Sequence, residues 1–469
     1  MFVKMSEFNE GSLDTATNLT GFRDGSRVVT NDGEELIEVE VDEDEDLEND
    51  DSTVWGTEID NNEEVTMEDE DGGVSNEPSE DLSVSVFKGH GDNVYCAAIH
   101  PTLPGVVITG GGDDKGYIWK YDSYQQAIEG DKSSRIVSVL ELDGHTDSVS
   151  AVGFNFDGSL ALTGSFDGIC QIWNVTTGEK VMSLEGPEDI EWAQWHPKGN
   201  AVVAGSSDGT IWMWLATTGQ CMQVFAGHDG KVSCGMFSKD GKHVVSGGDD
   251  GTVRIWNPKS GACKHIFEGH FGHEGPTTCL AGSEDGDAIL SGSVDGKVRL
   301  YQISGKKVLQ TLVHSTEISM EENNEKDVME EEGGVLGVEC VGFSPANDLK
   351  WVASGGMDKT VKIWDSITGT CRCVCTHDGG VVALHWHQSY PLFATACLDS
   401  TVRLWDARSA TCVLDLTGHA DLVTNMQMST LIKSSENHCE EESPTDCIVS
   451  VSDDGTARVF HYNAPILMS

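Results

Sequence analysis

From Gly89 onward, one order of apolar and polar positions recurs along the chain. Most copies open with Gly-His and a short acidic turn, followed by an alternating apolar run and a run rich in Gly and Ser. An Asp follows, with an aromatic residue six positions further on. Period-two alternation between short turns indicates β-strands. The eight copies have their aspartates at Asp113, Asp167, Asp208, Asp250, Asp295, Asp358, Asp399 and Asp454.

The spacing of these aspartates identifies the repeat. Most lie 41 to 45 residues apart, and three intervals are stretched to 54, 63 and 55 residues by inserted loops. The aromatic residue is Trp in six copies, Tyr301 in the fifth and Phe460 in the eighth. This signature and period resemble the WD repeat, in which each unit builds one four-stranded blade of a β-propeller. The sequence therefore predicts an all-β WD-repeat β-propeller with eight blades.

A polar network is expected within each blade. Asp followed by Gly suits a tight turn, because a positive φ is cheap only for Gly. In the resembled repeat the Asp bonds a His of the same unit, and the His is linked to a Ser or Thr and to the Trp. The expected histidines are His90, His145, His228, His270, His314, His377 and His419. Pro187 replaces the third, so we expect that blade to depend on Trp192, Trp195, Trp212 and Trp214.

The same repeat sets the domain boundaries. The segment "LSVSVFKGH" (Leu82 to His90) alternates apolar and small polar residues, and we assign it to the last blade, which ends in "TARVFHY", so that no sheet edge stays open. The propeller then spans residues 81–464, between an acidic tail (1–80) and a short C-terminal tail (465–469). The acidic tail is expected to be disordered, since it is too charged to offset the entropy of ordering. Loop insertions are expected near Tyr121–Ser134, 316–334 and 433–446.

Charge narrows the choice of partners. The net charge is −50, and residues 1–80 carry 27 of the 79 acidic residues but only three of the 29 basic ones. Such a polyanion repels phosphate backbones and anionic lipid, so we expect no direct nucleic acid partner and no membrane insertion. A basic protein or peptide is the natural partner. Cysteines scattered along strands, with no secretory signal, favour a reduced, cytoplasmic or nuclear protein, which we expect to be a monomer.

The candidate binding residues precede the first strand of each blade, around the mouth of the central channel. Recurring carboxylates there predict an acidic top face for a basic segment, with Phe166 and Trp192 available for cation–π contact with arginines. Gly-His-x-Asp is also common in WD repeats for local turn reasons, so each single position has a structural alternative. The predicted partner-binding residues are Asp92, Asp147, Phe166, Glu188, Asp189, Trp192, Asp229, Glu274, Asp378 and Asp421.

Motifs for metals and catalysis are interpreted as structural. The clusters "CRCVCTH" (Cys371–His377), "HFGHE" (His270–Glu274) and "HWH" (His385–His387) fall on repeat positions, and "GGGDDKG" lacks the strand–loop–helix context of a phosphate loop. No Ser/His/Asp or Cys/His set stands apart from the repeat. We therefore expect no metal, no cofactor and no catalytic residue.

Several stretches resemble the angio-associated migratory cell protein family. They are "GGGDDKGYIW" (Gly110–Trp119), "DIEWAQWHP" (Asp189–Pro197), "GTIWMW" (Gly209–Trp214), "GHEGPTTC" (Gly272–Cys279) and "CLDSTVRLWDAR" (Cys397–Arg408). Fungal relatives of that family are dedicated chaperones whose acidic top face binds the N-terminal segment of a basic large-subunit ribosomal protein. The resemblance implies the same role here. Animal members are linked to cell migration and heparin binding, but a chain of net charge −50 is a poor heparin receptor.

A second class of function stays open. The sequence Trp405–Arg408 (Trp-Asp-x-Arg) resembles the adaptor-docking motif of substrate receptors for cullin-RING ubiquitin ligases. The motif is short and frequent in WD proteins, where it has an ordinary structural reading. The alternatives to a ribosomal-protein escort are therefore a ligase substrate receptor or a general signalling and cell-migration scaffold.

Overall fold

The computed structural model describes residues 80–122, 132–315, 336–345, 350–430 and 446–468. The predicted acidic tail, except Glu80, and most of the three predicted insertions lie outside these ranges. The described residues form 32 strands in eight four-stranded antiparallel sheets, which confirms the eight-bladed propeller. Two 3-10 turns (Lys132–Arg135 and Gly269–Phe271) and one helix, α1 (Ala464–Leu467), complete them. None of the described helices is long and apolar enough to cross a membrane.

Each blade is ordered from an innermost to an outermost strand. Blade 1 contains β2 (Val94–Ile99), β3 (Val106–Gly111), β4 (Gly116–Tyr121) and β5 (Ile136–Leu142). Blade 2 contains β6 (Val149–Phe154), β7 (Leu160–Ser165), β8 (Cys170–Asn174) and β9 (Lys180–Leu184). Blade 3 contains β10 (Trp192–Trp195), β11 (Ala201–Gly205), β12 (Thr210–Leu215) and β13 (Gln220–Ala226). Blade 4 contains β14 (Cys234–Phe237), β15 (Val244–Gly247), β16 (Val253–Trp256) and β17 (Cys263–Phe267).

The second half repeats the plan. Blade 5 contains β18 (Thr277–Gly282), β19 (Ala288–Ser293), β20 (Lys297–Gln302) and β21 (Lys307–Val313). Blade 6 contains β22 (Val338–Phe343), β23 (Trp351–Gly356), β24 (Thr360–Asp365) and β25 (Cys371–Thr376). Blade 7 contains β26 (Val381–Trp386), β27 (Leu392–Cys397), β28 (Val402–Asp406) and β29 (Thr411–Leu416). Blade 8 contains β30 (Val423–Thr430), β31 (Asp446–Ser452), β32 (Ala457–Tyr462) and, from the start of the propeller, β1 (Ser85–Phe87).

The blades are held together by apolar packing between their faces. Eight clusters of buried apolar side chains are present in the described residues, and each is shared by two neighbouring blades. Hydroxyl groups add polar links between innermost strands: Ser150 Oγ donates to the Ile190 carbonyl (2.5 Å) and Thr424 Oγ1 donates to the Val94 carbonyl (2.7 Å). The last link joins blade 8 to blade 1, so the ring is closed.

The predicted closing strand is confirmed. Strand β1 pairs antiparallel with β32, and Ser85 lies opposite Val459. Phe87 is 3 % exposed, and its ring is stacked on Trp119 of blade 1 with centroids 5.0 Å apart. The strand therefore completes the sheet of blade 8 and also packs against the neighbouring blade.

The polar network of the repeat is complete in several blades. In blade 2, His145 Nδ1 lies 2.9 Å from Asp167, His145 Nε2 lies 2.8 Å from Thr163 Oγ1, and Trp173 Nε1 donates to the same hydroxyl (2.9 Å). Burial lowers the pKa of His145, against the opposing effect of Asp167, so the imidazole is neutral near pH 7. Nδ1–H then donates to the carboxylate, Nε2 accepts from the hydroxyl, and every buried group has a partner. Blades 1, 4 and 6 have the same four members.

The prediction that His270 is the network histidine of blade 5 is wrong. His273, not His270, contacts Asp295 (3.1 Å) and Ser291 (2.6 Å). The Gly269–Phe271 turn lengthens the connection by three residues, which leaves His270 exposed, and its carbonyl accepts a hydrogen bond from Arg299 (2.7 Å). The first Gly-His of the segment therefore belongs to a loop and the second to the blade.

Two other blades depart from the network. In blade 7, Asp399 bonds Arg403 (2.6 Å), and His377 Nδ1 has no hydrogen-bond partner in the described residues although His377 Nε2 contacts Thr395. Blade 3 has Pro187, and three of its four tryptophans donate to backbone carbonyls, whereas Trp212 Nε1 donates to Thr210 Oγ1 (2.9 Å). Trp192 Nε1 donates to Val232 (2.9 Å) and Trp214 Nε1 donates to Glu185 (3.3 Å).

Candidate partner-binding face

Two turns of each blade meet at one edge of the ring, which we call the upper rim. One turn precedes the innermost strand, and the other contains the repeat aspartate between the second and third strands. A backbone hydrogen bond joins them, as from Phe166 N to Ser148 O (3.1 Å) or from Asp453 N to Leu422 O (3.1 Å). Seven blades have this bond, and in blade 3 the amide of Ser207 donates instead to the Asp189 carboxylate (2.7 Å).

Three of the predicted carboxylates occupy the same local geometry. Asp92, Asp147 and Asp421 are exposed, and the Oδ1 atom of each accepts the backbone N–H of the following residue at 2.8, 2.7 and 2.8 Å. This bond fixes the carboxylate relative to the rim and leaves it in solvent. Three such anions, on blades 1, 2 and 8, therefore lie on the same side of the ring. Their side chains are already ordered, so binding a partner costs little further side-chain entropy.

Four more predicted carboxylates are also exposed, namely Glu188, Asp229, Glu274 and Asp378, and two of them are paired, whereas Asp189 is half-buried. Glu274 lies 2.8 Å from Lys297 and Asp378 lies 3.2 Å from Arg403. Glu188 and Asp229 are exposed residues of blades 3 and 4. Lys231, a base in the rim turn of blade 4, pairs with Glu191 (2.7 Å). Lys231, Lys297 and Arg403 thus each neutralise one carboxylate, so the acidity of the rim rests on the carboxylates that have no such partner.

The two predicted aromatic residues differ in their surroundings. Phe166 is 39 % exposed at the rim. Trp192 is wedged between blades 3 and 4, since a Cβ on either Gly205 or Gly235 would collide with its ring, at 2.2 and 1.9 Å. Asp189 is likewise engaged within blade 3, where it accepts from Ser206 and Ser207. The geometry therefore leaves Phe166 as the accessible ring of this pair.

Asp453 is a rim carboxylate that the sequence reasoning missed. It immediately precedes the repeat aspartate of blade 8, as Asp249 does in blade 4. Its pKa is raised, first by burial and then by the negative charges of Asp421, Asp454 and Asp92. Burial and the charges of Asp92 and Asp453 also raise the pKa of Tyr95. Asp92, Asp421 and Asp453, which we call the seam cluster, therefore repel one another where blade 8 meets blade 1.

A central channel of about 1010 Å³ is lined by all eight innermost strands and by residues that follow them at the edge opposite the upper rim. Glu339 of blade 6 lines this channel, and the equivalent positions of blades 2, 3 and 4 hold Ser150, Glu191 and Ser233. Burial raises the pKa of Glu339, and no hydrogen bond or ion pair to its carboxylate occurs among the described residues.

The motifs considered for other chemistry have ordinary roles in the blades. Within the described ranges no group of three His, Cys, Asp or Glu side chains is arranged to hold a metal ion. Cys371, Cys373 and Cys375 alternate along the outermost strand of blade 6. Trp405 is buried against blade 6, and Arg408 forms a two-point contact with Asp406, with the shorter distance 2.8 Å. The arginine of the adaptor-like motif is thus engaged within its own turn.

Comparison with known proteins agrees with this geometry. Seven segments match the family profile described as "WD domain, G-beta repeat": residues 82–120, 136–174, 178–214, 219–257, 261–302, 331–365 and 369–406. The chain is therefore a WD-repeat β-propeller scaffold. It is 33 % identical over 405 residues to the angio-associated migratory cell protein of Homo sapiens, an alignment that covers 86 % of each chain. The chain belongs to the angio-associated migratory cell protein family.

Solved structures with the same fold include Sqt1 from two fungi. Saccharomyces cerevisiae Sqt1 has a TM-score of 0.68 at 20 % identity, covering 82 % of this chain and 99 % of that one. Chaetomium thermophilum Sqt1, solved bound to the N-terminus of the ribosomal protein L10, has a TM-score of 0.65 at 22 % identity and covers 82 % of this chain and 100 % of that one. At these identities the likeness defines the fold.

Proposed function

We propose that this protein is an escort for a basic ribosomal protein in large-subunit assembly, and that it binds an extended basic segment across the upper rim. The observation that carries the proposal is the seam cluster. Burial raises the pKa of Asp453 most, and the negative charges of Asp421, Asp454 and Asp92 raise it further, so these carboxylates repel one another. A lysine or arginine placed among them relieves that repulsion, so a cation is bound more favourably there than at an isolated surface carboxylate.

Two further observations support the same partner class. Rim carboxylates stand on most blades, so a segment lying across the channel mouth meets an anion at each step, and the net charge of −50 draws cations toward it over longer distances. A propeller of the same fold has been solved with the N-terminus of ribosomal protein L10 bound. The corresponding segment of L10 is therefore the first ligand to test.

The test is titration of full-length protein with a synthetic peptide of the L10 N-terminus at two salt concentrations. We expect binding that weakens as salt rises, since screening shortens the reach of exposed charges. The triple variant D92N/D421N/D453N should weaken it by about 1–3 kcal/mol in total, roughly 5- to 150-fold in Kd. A matched control, D157N/E284Q/D285N, removes three charges from turns at the opposite edge, after β6 and β18.

The proposal requires the two triple variants to differ. Equal weakening by both would reduce the effect to net charge, and the seam cluster would have no special role. A peptide that does not bind the wild-type protein even at low salt would overturn the proposed function.

A further inference from the structure

The residue before the repeat aspartate is apolar in three consecutive blades. Val294 and Met357 are 43 % and 39 % exposed on blades 5 and 6, and Leu398 is half-buried on blade 7. The same turn position holds Gly112, Ser207, Asp249 and Asp453 in blades 1, 3, 4 and 8, and the apolar Phe166 in blade 2. The turn itself therefore does not need an apolar side chain. Exposed apolar side chains on three consecutive blades of the upper rim indicate a contact surface.

Two glycines lie directly beneath these side chains. Gly337 and Gly380 stand just before the innermost strands of blades 6 and 7, where five of the other blades have Asn93, Ser148, Lys231, Pro276 and Leu422. A Cβ on Gly380 would lie 2.7 Å from Met357 Sδ and 3.3 Å from Leu398 Cδ1. A Cβ on Gly337 would lie 3.3 Å from the Val294 Cα. Leu336, 38 % exposed, adjoins it, and we call Val294, Leu336, Met357 and Leu398 the apolar arc.

Carboxylates border the arc. Glu339 Oε1 would lie 3.1 Å from a Cβ on Gly337, so its carboxylate is next to that glycine. Asp378 stands two residues before Gly380; its side chain is 89 % exposed and lies 3.2 Å from Arg403. A partner on this surface must therefore offer apolar surface beside negative charge, which disfavours an acidic partner and favours a basic one.

We infer that the apolar arc takes one large apolar side chain of the bound segment, directly next to a lysine or arginine that faces Glu339 and Asp378. This inference rests on the proposed function, because the basic segment on the rim is the same one. It adds a sequence requirement to that function: the segment is not recognised by charge alone but needs an aromatic or long aliphatic residue within its basic run. Carboxylates attract the segment, and the arc sets its register on the ring.

The experiment compares two synthetic twelve-residue peptides. Both contain arginines separated by Ser and Gly, and one carries a single Leu next to an arginine where the other has Ser. For full-length wild-type protein we expect the Leu peptide to bind about fivefold to tenfold more tightly, as expected for partial burial of one leucine side chain. In M357S/L398S this preference should disappear while binding of the Ser peptide stays unchanged. Because Ser207 occupies the same turn in blade 3, this variant is expected to fold.

The control variant is I367S. Ile367 is 60 % exposed in blade 6, in the turn between its third and fourth strands, at the opposite edge from the rim. It should keep the Leu preference. A preference that survives in M357S/L398S would overturn the inference and leave the proposed function intact. Failure of both peptides to bind wild-type protein at low salt would overturn both. A wild-type dimer that M357S/L398S converts to monomer in sedimentation would assign the arc to self-association and overturn the inference.

Discussion

The Asp81 carboxylate lies 2.6 Å from the guanidinium of Arg458, and so fastens the chain just ahead of the closing strand to the third strand of blade 8. The same carboxylate accepts from the backbone and the hydroxyl of Ser83, and it lies 3.2 Å from Lys132. Arg458 is 9 % exposed, so its charge needs a partner. Closure of the ring therefore depends on an ion pair as well as on the short β1 ladder.

We predict that D81N lowers the free energy of unfolding by about 1 kcal/mol, a value kept small because the carboxylate is partly exposed. Burial raises the pKa of Asp81, but the bonds from Ser83 and the charge of Arg458 outweigh it and bring the pKa to about 2. A carboxyl with a depressed folded pKa stabilises above its unfolded pKa, near 3.8, and loses that contribution as pH falls toward 2. Denaturant unfolding at pH 7 and at pH 3 measures both effects.

The neighbouring variant E80Q is the control, since it removes the same charge one residue away. Glu80 is exposed, and its bond to Thr417 uses the backbone carbonyl. Equal unfolding curves for D81N and E80Q would show that the ion pair contributes nothing to closure.

We predict that two substitutions in blade 3 have coupled effects on stability. It lacks the hydroxyl as well as the histidine of the network, because Ala204 is fully buried at the position of Thr163 in blade 2. We expect P187H alone to destabilise by about 1–3 kcal/mol, since Nε2 of the new imidazole would be buried without a partner. Adding A204S should recover much of that loss. Urea unfolding of the four proteins in a double-mutant cycle measures the coupling, and strictly additive effects would contradict the prediction.

The seam cluster predicts opposite effects on stability and on binding. Asp453 has a raised pKa, caused first by burial and then by Asp421, Asp454 and Asp92, so its ionised form is disfavoured by folding. Its cost to stability appears as pH rises above the unfolded pKa and is absent below it. D453N should therefore raise the melting temperature slightly at pH 7 and low salt, while it weakens binding of the L10 peptide. A variant that loses stability and keeps full affinity would show that Asp453 is a structural residue.

The acidic segment 1–75 should act on the rate of encounter. We expect its removal to slow association with a basic client several-fold at low salt and to change dissociation little, because long-range charge acts mainly on association. Stopped-flow binding of full-length and shortened protein at two salt concentrations measures this. If the segment only improves solubility, association will be unchanged and the shortened protein will be less soluble.

The repeat made most of the architecture predictable, and the errors have physical reasons. The histidine of blade 5 could have been found by spacing: His145, His228 and His273 all stand 22 residues before their aspartates, whereas His270 does not. Spacing could not have predicted that His377 and Asp399 form no hydrogen bond, because blade 4 has the same residue types at the same spacing and keeps the bond. Blade 4 also has an arginine four residues after its aspartate, yet Asp250 bonds both His228 and Arg254.

The negative charge of the candidate site was predictable from the sequence, but the clustering of its carboxylates where blade 8 meets blade 1 was not. Asp92 and Asp421 belong to turns that any WD repeat presents, so the sequence places both on the rim. Their approach to Asp453 depends on how blade 8 closes on blade 1, which is a long-range relationship. The apolar arc was also missed, because Val294, Met357 and Leu398 stand in turns where an isolated apolar residue needs no explanation.

The closing strand also sets an order of events during synthesis. Translation makes β1 first and its partner β32 last, so β1 has to wait unpaired until the ribosome has nearly finished the chain. Asp92 and Asp453 likewise come from opposite ends of the propeller, and an unfinished chain has only one of them. The seam cluster therefore exists only in a completed molecule, and a nascent or C-terminally truncated copy lacks it.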